Sequence, residues 1–166
     1  MTIDISDLIR KKVIKKDLHL VFENEDILKD SEDIKISSPI KLLGTLSNLN
    51  AVISLDGNLT CEVNLLCSRC LEDFKYLIDI EVHEKFTSNQ EVEDDDINFF
   101  EGDSIDLTNI IENNIVMALP VKKLCREECK GLCHKCGANL NHSECKCGND
   151  NVDPRMAKLK ELFSTD

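Results

Sequence analysis

The sequence of 166 residues contains no Trp, a single Tyr and only 4% aromatic residues. It has no uninterrupted apolar run near the roughly 20 residues that a membrane-spanning helix needs, so a helical membrane protein is excluded. The stretch from Met1 to Asp17 mixes acids and bases and lacks the apolar core and small-residue cleavage site of a secretory signal. A cytoplasmic location is therefore expected. Base is also scarce: 20 Lys+Arg stand against 32 Asp+Glu, a formal charge of −12. A protein that grips RNA over a broad face presents a basic stripe, and this one has too few cations for that. Finally, there are no paired carboxylates at helical spacing, no nucleophile elbow and no phosphate-cradling loop. No catalytic activity and no small-molecule substrate are expected. The length suits one domain, or one domain with a small appendage.

What the sequence does have is acid and cysteine, each concentrated. Residues 61–104 carry 13 acidic and 3 basic side chains, while residues 105–166 balance at 9 and 9. The densest acid is Glu91-Val92-Glu93-Asp94-Asp95-Asp96, which reads as a solvated loop. Its functional alternative is a contact for a basic protein through Glu93, Asp94, Asp95 and Asp96. Of nine cysteines, Cys61, Cys67 and Cys70 lie mid-chain, and Cys125, Cys129, Cys133, Cys136, Cys145 and Cys147 crowd near the end. In a reducing compartment such pairs are metal ligands or redox thiols rather than a disulfide framework.

From Ile40 to Phe86 the apolar period is two, as in half-buried strands. Asp56-Gly57 between two such runs predicts a hairpin turn. Beyond it Leu59, Cys61, Val63, Leu65 and Cys67 share one face, which makes Cys61 a buried strand thiol. The alternation resumes through Tyr76, Ile78, Ile80 and Val82, so Cys67-Ser68-Arg69-Cys70 falls between strands. Residues 34–36 and 40–42 read as short strands separated by Pro39. At Asp106 the period changes: Leu107, Ile110, Ile111, Ile115, Ala118 and Leu119 recur at helical spacing, with Asp106 as N-cap and Pro120 as the stop. Asp153-Pro154 announces a second helix with the stripe Met156, Leu159, Leu162 and Phe163. The expected fold is α+β: an antiparallel sheet or partly open barrel with a packed amphipathic helix over residues 1–122, and a cysteine-rich, zinc-binding tail over 123–166 ending in a short helix.

Zinc takes four ligands in a tetrahedron, and a thiolate pair on a tight turn supplies two corners with little strain. In the tail, Cys133-His134-Lys135-Cys136-Gly137 is followed by Cys145-Lys146-Cys147-Gly148, each pair trailed by a glycine that lets the backbone fold back. These four cysteines form one expected site. Cys67, Cys70, Cys125 and Cys129 supply a second, which would tie the tail to the sheet. The rival grouping places Cys125 and Cys129 with Cys133 and Cys136 and leaves Cys67 and Cys70 as a free dithiol. Two quartets are preferred because they leave only Cys61 over, giving one to two zinc ions per chain. His134 and His142 lie within the cluster and read as solvated loop residues.

Four stretches taken together carry a resemblance: Leu66 to Phe74 around Cys67 and Cys70, Ile105 to Pro120, Cys129 to Asn141, and Asp153-Pro154-Arg155. In that order they resemble the YceD family, whose members are called large ribosomal RNA subunit accumulation proteins. The tail resembles its cysteine-rich form, found in Firmicutes-like bacteria. Branches without most of that tail imply that the second cluster stabilises rather than acts. The resemblance implies a non-catalytic role in the accumulation or processing of large-subunit ribosomal RNA. Partners would be that RNA, a basic large-subunit ribosomal protein, or both, and no membrane. Arg69, Lys75, Lys122, Lys123, Lys130 and Lys135 are the candidate local RNA patch. The competing function is a redox-regulated thiol switch or chaperone working through Cys67 and Cys70.

Overall fold

One strand organises the molecule. In the computed structural model, which describes residues 2–10, 12–23, 34–49, 52–89 and 97–147, alternate side chains are buried along Val52–Leu66: Ile53, Leu55, Leu59, Cys61, Val63 and Leu65. The elements in chain order are β1 (Thr2–Asp4), α1 (Ser6–Ile9), β2 (Lys15–Phe22), β3 (Ile34–Ile36), β4 (Ile40–Leu49), β5 (Val52–Leu66), β6 (Asp73–Thr87), β7 (Ile97–Phe99), β8 (Ser104–Asp106) and α2 (Thr108–Ala118). Six strands form one sheet in the order β2-β4-β5-β6-β7, with β3 also on β5, and β1 pairs with β8. The sheet curls into a half-barrel. It is mixed rather than wholly antiparallel, because β6 and β7 run parallel. The nine residues between Thr87 and Ile97 permit this, where a tight hairpin turn would not.

The expected turn at Asp56-Gly57 is not there. β5 runs through it without a break, and the register places the reversal between Leu49 and Val52. Gly57 instead faces Gly44 across the ladder. A Cβ on Gly44 would lie 2.5 Å from the Asp56 carbonyl oxygen and 2.7 Å from Gly57 Cα. The two backbones approach more closely than any side chain allows, and the paired glycines let the sheet bend. Asp-Gly thus marks a close approach, not a positive φ.

The helix forms where its period placed it. Ile111 and Ile115 of α2 enter the core beside Leu107 and Ile105. Asp106 sits one position before the Leu107 cap. Its Oδ1 accepts from the Thr108 backbone N–H (2.9 Å) and hydroxyl (2.6 Å), which serves one of the helix's free N–H groups. Both Thr108 bonds hold the Asp106 carboxyl down at about 2. Leu119 turns extended before Pro120, ending the helix. Asn114 of α2 and Asn98 of β7 donate to the two oxygens of Glu84 on β6, each at 2.9 Å, so one carboxylate ties three elements together.

β1 and α1 were not legible as elements. They insert Ile3, Ile5 and Leu8 into the core and are held by pairing with β8, a hundred residues away. The acidic stretch at Glu93–Asp96 and the helix expected after Asp153 lie outside the described residues.

Candidate metal centre

The β5–β6 connection folds as a knuckle. The Cys67 N–H donates to the Glu72 carbonyl (2.9 Å), the Leu71 N–H donates to the Cys67 carbonyl (2.9 Å), and Leu71 takes φ 58°. The tail repeats this pattern. Cys133 N–H donates to the Ala138 carbonyl (2.8 Å), Gly137 N–H to the Cys133 carbonyl (2.8 Å), and Gly137 takes φ 72°. A knuckle of this kind turns two sulfurs and several N–H groups toward one point. Its left-handed residue favours glycine, yet in the first knuckle Leu71 fills it.

The sulfurs converge as two quartets, Cys67, Cys70, Cys125 and Cys129, and Cys133, Cys136, Cys145 and Cys147. Within each quartet all four lie within 4.8 Å of one another. Cys67 Sγ is 3.8 Å from Cys129 Sγ, Cys70 Sγ is 3.7 Å from Cys125 Sγ, and Cys145 Sγ is 3.5 Å from Cys133 Sγ. A tetrahedron with metal–sulfur bonds of about 2.3 Å has edges of about 3.8 Å, whereas a disulfide needs about 2.05 Å. Both quartets could therefore hold a metal ion. The rival grouping, with Cys67 and Cys70 free of partners, does not describe the first site. Cys61 is buried on β5, where burial pushes its thiol up to about 11, and lies outside both quartets.

The protein already aims charge stabilisation at some of these sulfurs. Burial opposes ionisation of Cys67, but N–H groups of Cys70, Cys125 and Arg69 overcome it and hold the thiol at about 6. Cys133 is held at about 6 by the N–H groups of Cys136 and Lys135. Burial, with its neighbouring sulfurs, pushes Cys70 up to about 12, and the Cys136 thiol pushes Cys147 up to about 11. Without a cation each quartet keeps part of its protons. A divalent ion supplies the charge that four thiolates lack.

The first site joins tail to sheet. Ser68 N–H donates to the Lys123 carbonyl (2.8 Å), and the Arg69 guanidinium donates to the carbonyls of Cys129 (2.9 Å) and Glu127 (3.4 Å). Leu132 N–H returns to the Arg69 carbonyl (3.1 Å), against which Gly131 packs at φ 71°. Arg69, expected in an RNA patch, thus clips the two knuckles together. Lys75 pairs with Glu62 at 2.6 Å. Lys122, Lys130 and Lys135 are exposed around the tail, and Lys123 is half-buried. A further basic stretch escaped the sequence reading because the acids of the first 60 residues mask it in the regional sum. Arg10, Lys12, Lys15 and Lys16 flank exposed Val13 and Ile14 between α1 and β2. Arg10 and Lys12 pair with Asp103 and Asp7, at 3.5 and 3.6 Å.

A family model described as Large ribosomal RNA subunit accumulation protein YceD matches residues 55–163, a span that includes every quartet cysteine. The chain belongs to the YceD family. The matched region starts within β5, so the first four strands lie before it. The Bacillus subtilis protein YlbN is 32% identical over 102 residues, covering 60% of this chain and 59% of that protein. A Mycobacterium tuberculosis protein is 31% identical over 101 residues, covering 58% and 48%. The Arabidopsis thaliana chloroplastic Large ribosomal RNA subunit accumulation protein YCED homolog 1 is 36% identical over 58 residues, covering 35% and 18%. The matches thus span about half to three-fifths of these bacterial relatives and a smaller part of the plant one. No solved structure matches the chain. No helix among the described residues is long and apolar enough to cross a membrane.

Proposed function

We propose that this YceD-family protein is a non-catalytic, cytoplasmic factor that supports accumulation of the large ribosomal RNA subunit by binding an assembly intermediate. The observation that carries the proposal is the family match across residues 55–163, with a plant relative named for that process. The quartets' role is structural: each holds one Zn²⁺ in a closed four-thiolate site, which leaves no open position for a substrate. Four-sulfur tetrahedra suit zinc and Fe–S clusters alike, and metal analysis of the purified chain distinguishes the two.

Charge favours a basic ribosomal protein over free RNA as the direct partner. Residues 122–147 carry six basic and three acidic side chains, but a zinc ion bound by four thiolates has a net charge of −2, which offsets those cations. The acid of residues 61–104 adds to the repulsion of phosphates and steers a basic protein inward. Affinity for naked RNA is expected to be weak and to fall steeply with salt. Burial counts against the thiol-switch reading, since Cys67 and Cys70 are 0% and 3% exposed, and exchange needs access to sulfur.

The test is the ratio of large- to small-subunit ribosomal RNA in cells lacking the protein, with the bound components identified from a tagged copy. The large-subunit RNA should fall, and the tagged protein should bring down large-subunit components. Equal subunit RNA levels, or RNA cleavage by the purified protein, would overturn the proposal.

A further inference from the structure

The arm between Cys136 and Cys145 belongs to the second quartet, yet its side chains reach the first. Asn141 Nδ2 donates to the sulfur of Cys129 at 3.3 Å, while its Oδ1 accepts from the Lys130 backbone N–H at 2.9 Å. His142 Nε2 lies 2.8 Å from Glu72 Oε1, and the other oxygen of Glu72 lies 3.6 Å from the sulfur of Cys70. So one arm of the tail touches one ligand of the first quartet directly and a second through a single carboxylate. The arm is fixed by its own backbone. Leu140 N–H donates to the Gly131 carbonyl (2.9 Å), Leu132 bridges Asn139, and Asn139 Oδ1 accepts from the Asn141 N–H (2.9 Å). Both ends of that arm are ligands of the second quartet.

We infer that the two quartets form one thermodynamically coupled centre, in which loading Cys133, Cys136, Cys145 and Cys147 raises the metal affinity of Cys67, Cys70, Cys125 and Cys129 by seating Asn141 and His142 against it. This rests on the reading of both quartets as metal sites. The second quartet draws all four of its sulfurs from one short segment of the tail, so it assembles locally and holds in place the groups that reach the first. An amide N–H aimed at a thiolate stabilises its charge without competing for the metal, and removing such a partner typically lowers affinity about 10- to 100-fold. Because coupling is reciprocal, a loaded first site strengthens the second by the same factor. Asn141 is thus a positioning residue for a metal it does not touch.

Cobalt(II) titration of the full chain against a competing chelator tests this, since thiolate-to-cobalt absorption counts the sulfurs bound. Asn141→Asp keeps the acceptor for Lys130 but turns an oxygen toward the Cys129 sulfur. It should weaken the first quartet about tenfold or more while leaving the second quartet, measured in a Cys67→Ser/Cys70→Ser background, unchanged. Removing the second quartet with Cys145→Ser/Cys147→Ser should weaken the first at least as much. First-quartet affinities equal to wild type in both variants would overturn the coupling. A wild-type chain that binds no cobalt in either quartet would overturn the metal reading itself, a result visible before any variant is made.

Discussion

The half-barrel and the cysteine unit are ordered by different means. The sheet and α2 close over a single cluster of buried aliphatic and aromatic side chains running from Ile3 to Ile115. Around the first quartet the buried cluster is Cys67, Cys70 and Cys129, with only Phe74, Leu124 and Cys125 packed against it. A body that buries large apolar side chains is stabilised by their removal from water. A tail whose described buried side chains are mainly sulfurs gains little that way, and on the proposed reading a metal crosslink makes up the shortfall. The difference teaches where each part is vulnerable: the sheet to loss of volume, the tail to loss of a ligand. Phe74 packs against both clusters, so the boundary is a shared wall rather than a linker.

The sharpest break in the comparison comes from the ligands that join the two regions. Replacing Cys67 and Cys70 together by Ser should remove one metal ion per chain and release the tail from the sheet, since a structural zinc site contributes on the order of 10 kcal/mol near neutral pH. Metal analysis and thermal melting check it. An unchanged metal count and melting temperature would instead favour a working dithiol.

The reverse experiment strikes the body. Phe86 is among the largest fully buried side chains, and Phe86→Ala should cost about 3–5 kcal/mol. Denaturant unfolding monitored on the sheet would measure that loss.

Smaller effects compare the knuckles and the helix cap. Gly137 has open space where a Cβ would sit, but its φ of 72° strains any other residue, so Gly137→Ala should cost about 1–2 kcal/mol through backbone strain alone. Cobalt affinity of the second quartet would register this. Asp106 is smaller still and depends on pH. Its folded-state pKa of about 2 lies below the ordinary carboxylate value, so its contribution is fully present above about pH 4. It fades as pH falls toward 2, when the folded carboxylate takes up its proton. Asp106→Ala should thus cost about 1 kcal/mol near neutral pH and almost nothing at pH 2, measured as the difference from wild type in sheet unfolding at each pH.

How much of this was legible in the sequence depended on the range of the signal. The face shared by Leu59, Cys61, Val63, Leu65 and Cys67 is buried throughout, because a two-residue period is local and one side of the strand faces the core. The α2 stripe was legible for the same reason. Cysteine spacing marked the knuckle pairs, since a tight turn bearing two ligands is also local. Asp56-Gly57 misled because glycine permits either a turn or a close backbone approach, and only Gly44, on another strand, distinguishes the two. Nothing in the sequence could mark Leu71 as left-handed, since that position usually holds glycine. The roles of Arg69 and Asn141 depend on partners 60 and 12 residues away, contacts that no local pattern encodes. β1 escaped notice because three residues carry no period, and it exists by virtue of β8.

The central claim is that the tail folds on metal while the sheet folds on its own core. The most direct measurement is amide hydrogen exchange on the full chain, paired with native mass spectrometry, before and after chelation. Two zinc ions per chain are predicted, with protection at Cys133, Gly137 and Leu140 lost on chelation and protection along β5 and β6 retained. A chain that carries no metal yet protects those tail amides would contradict the account.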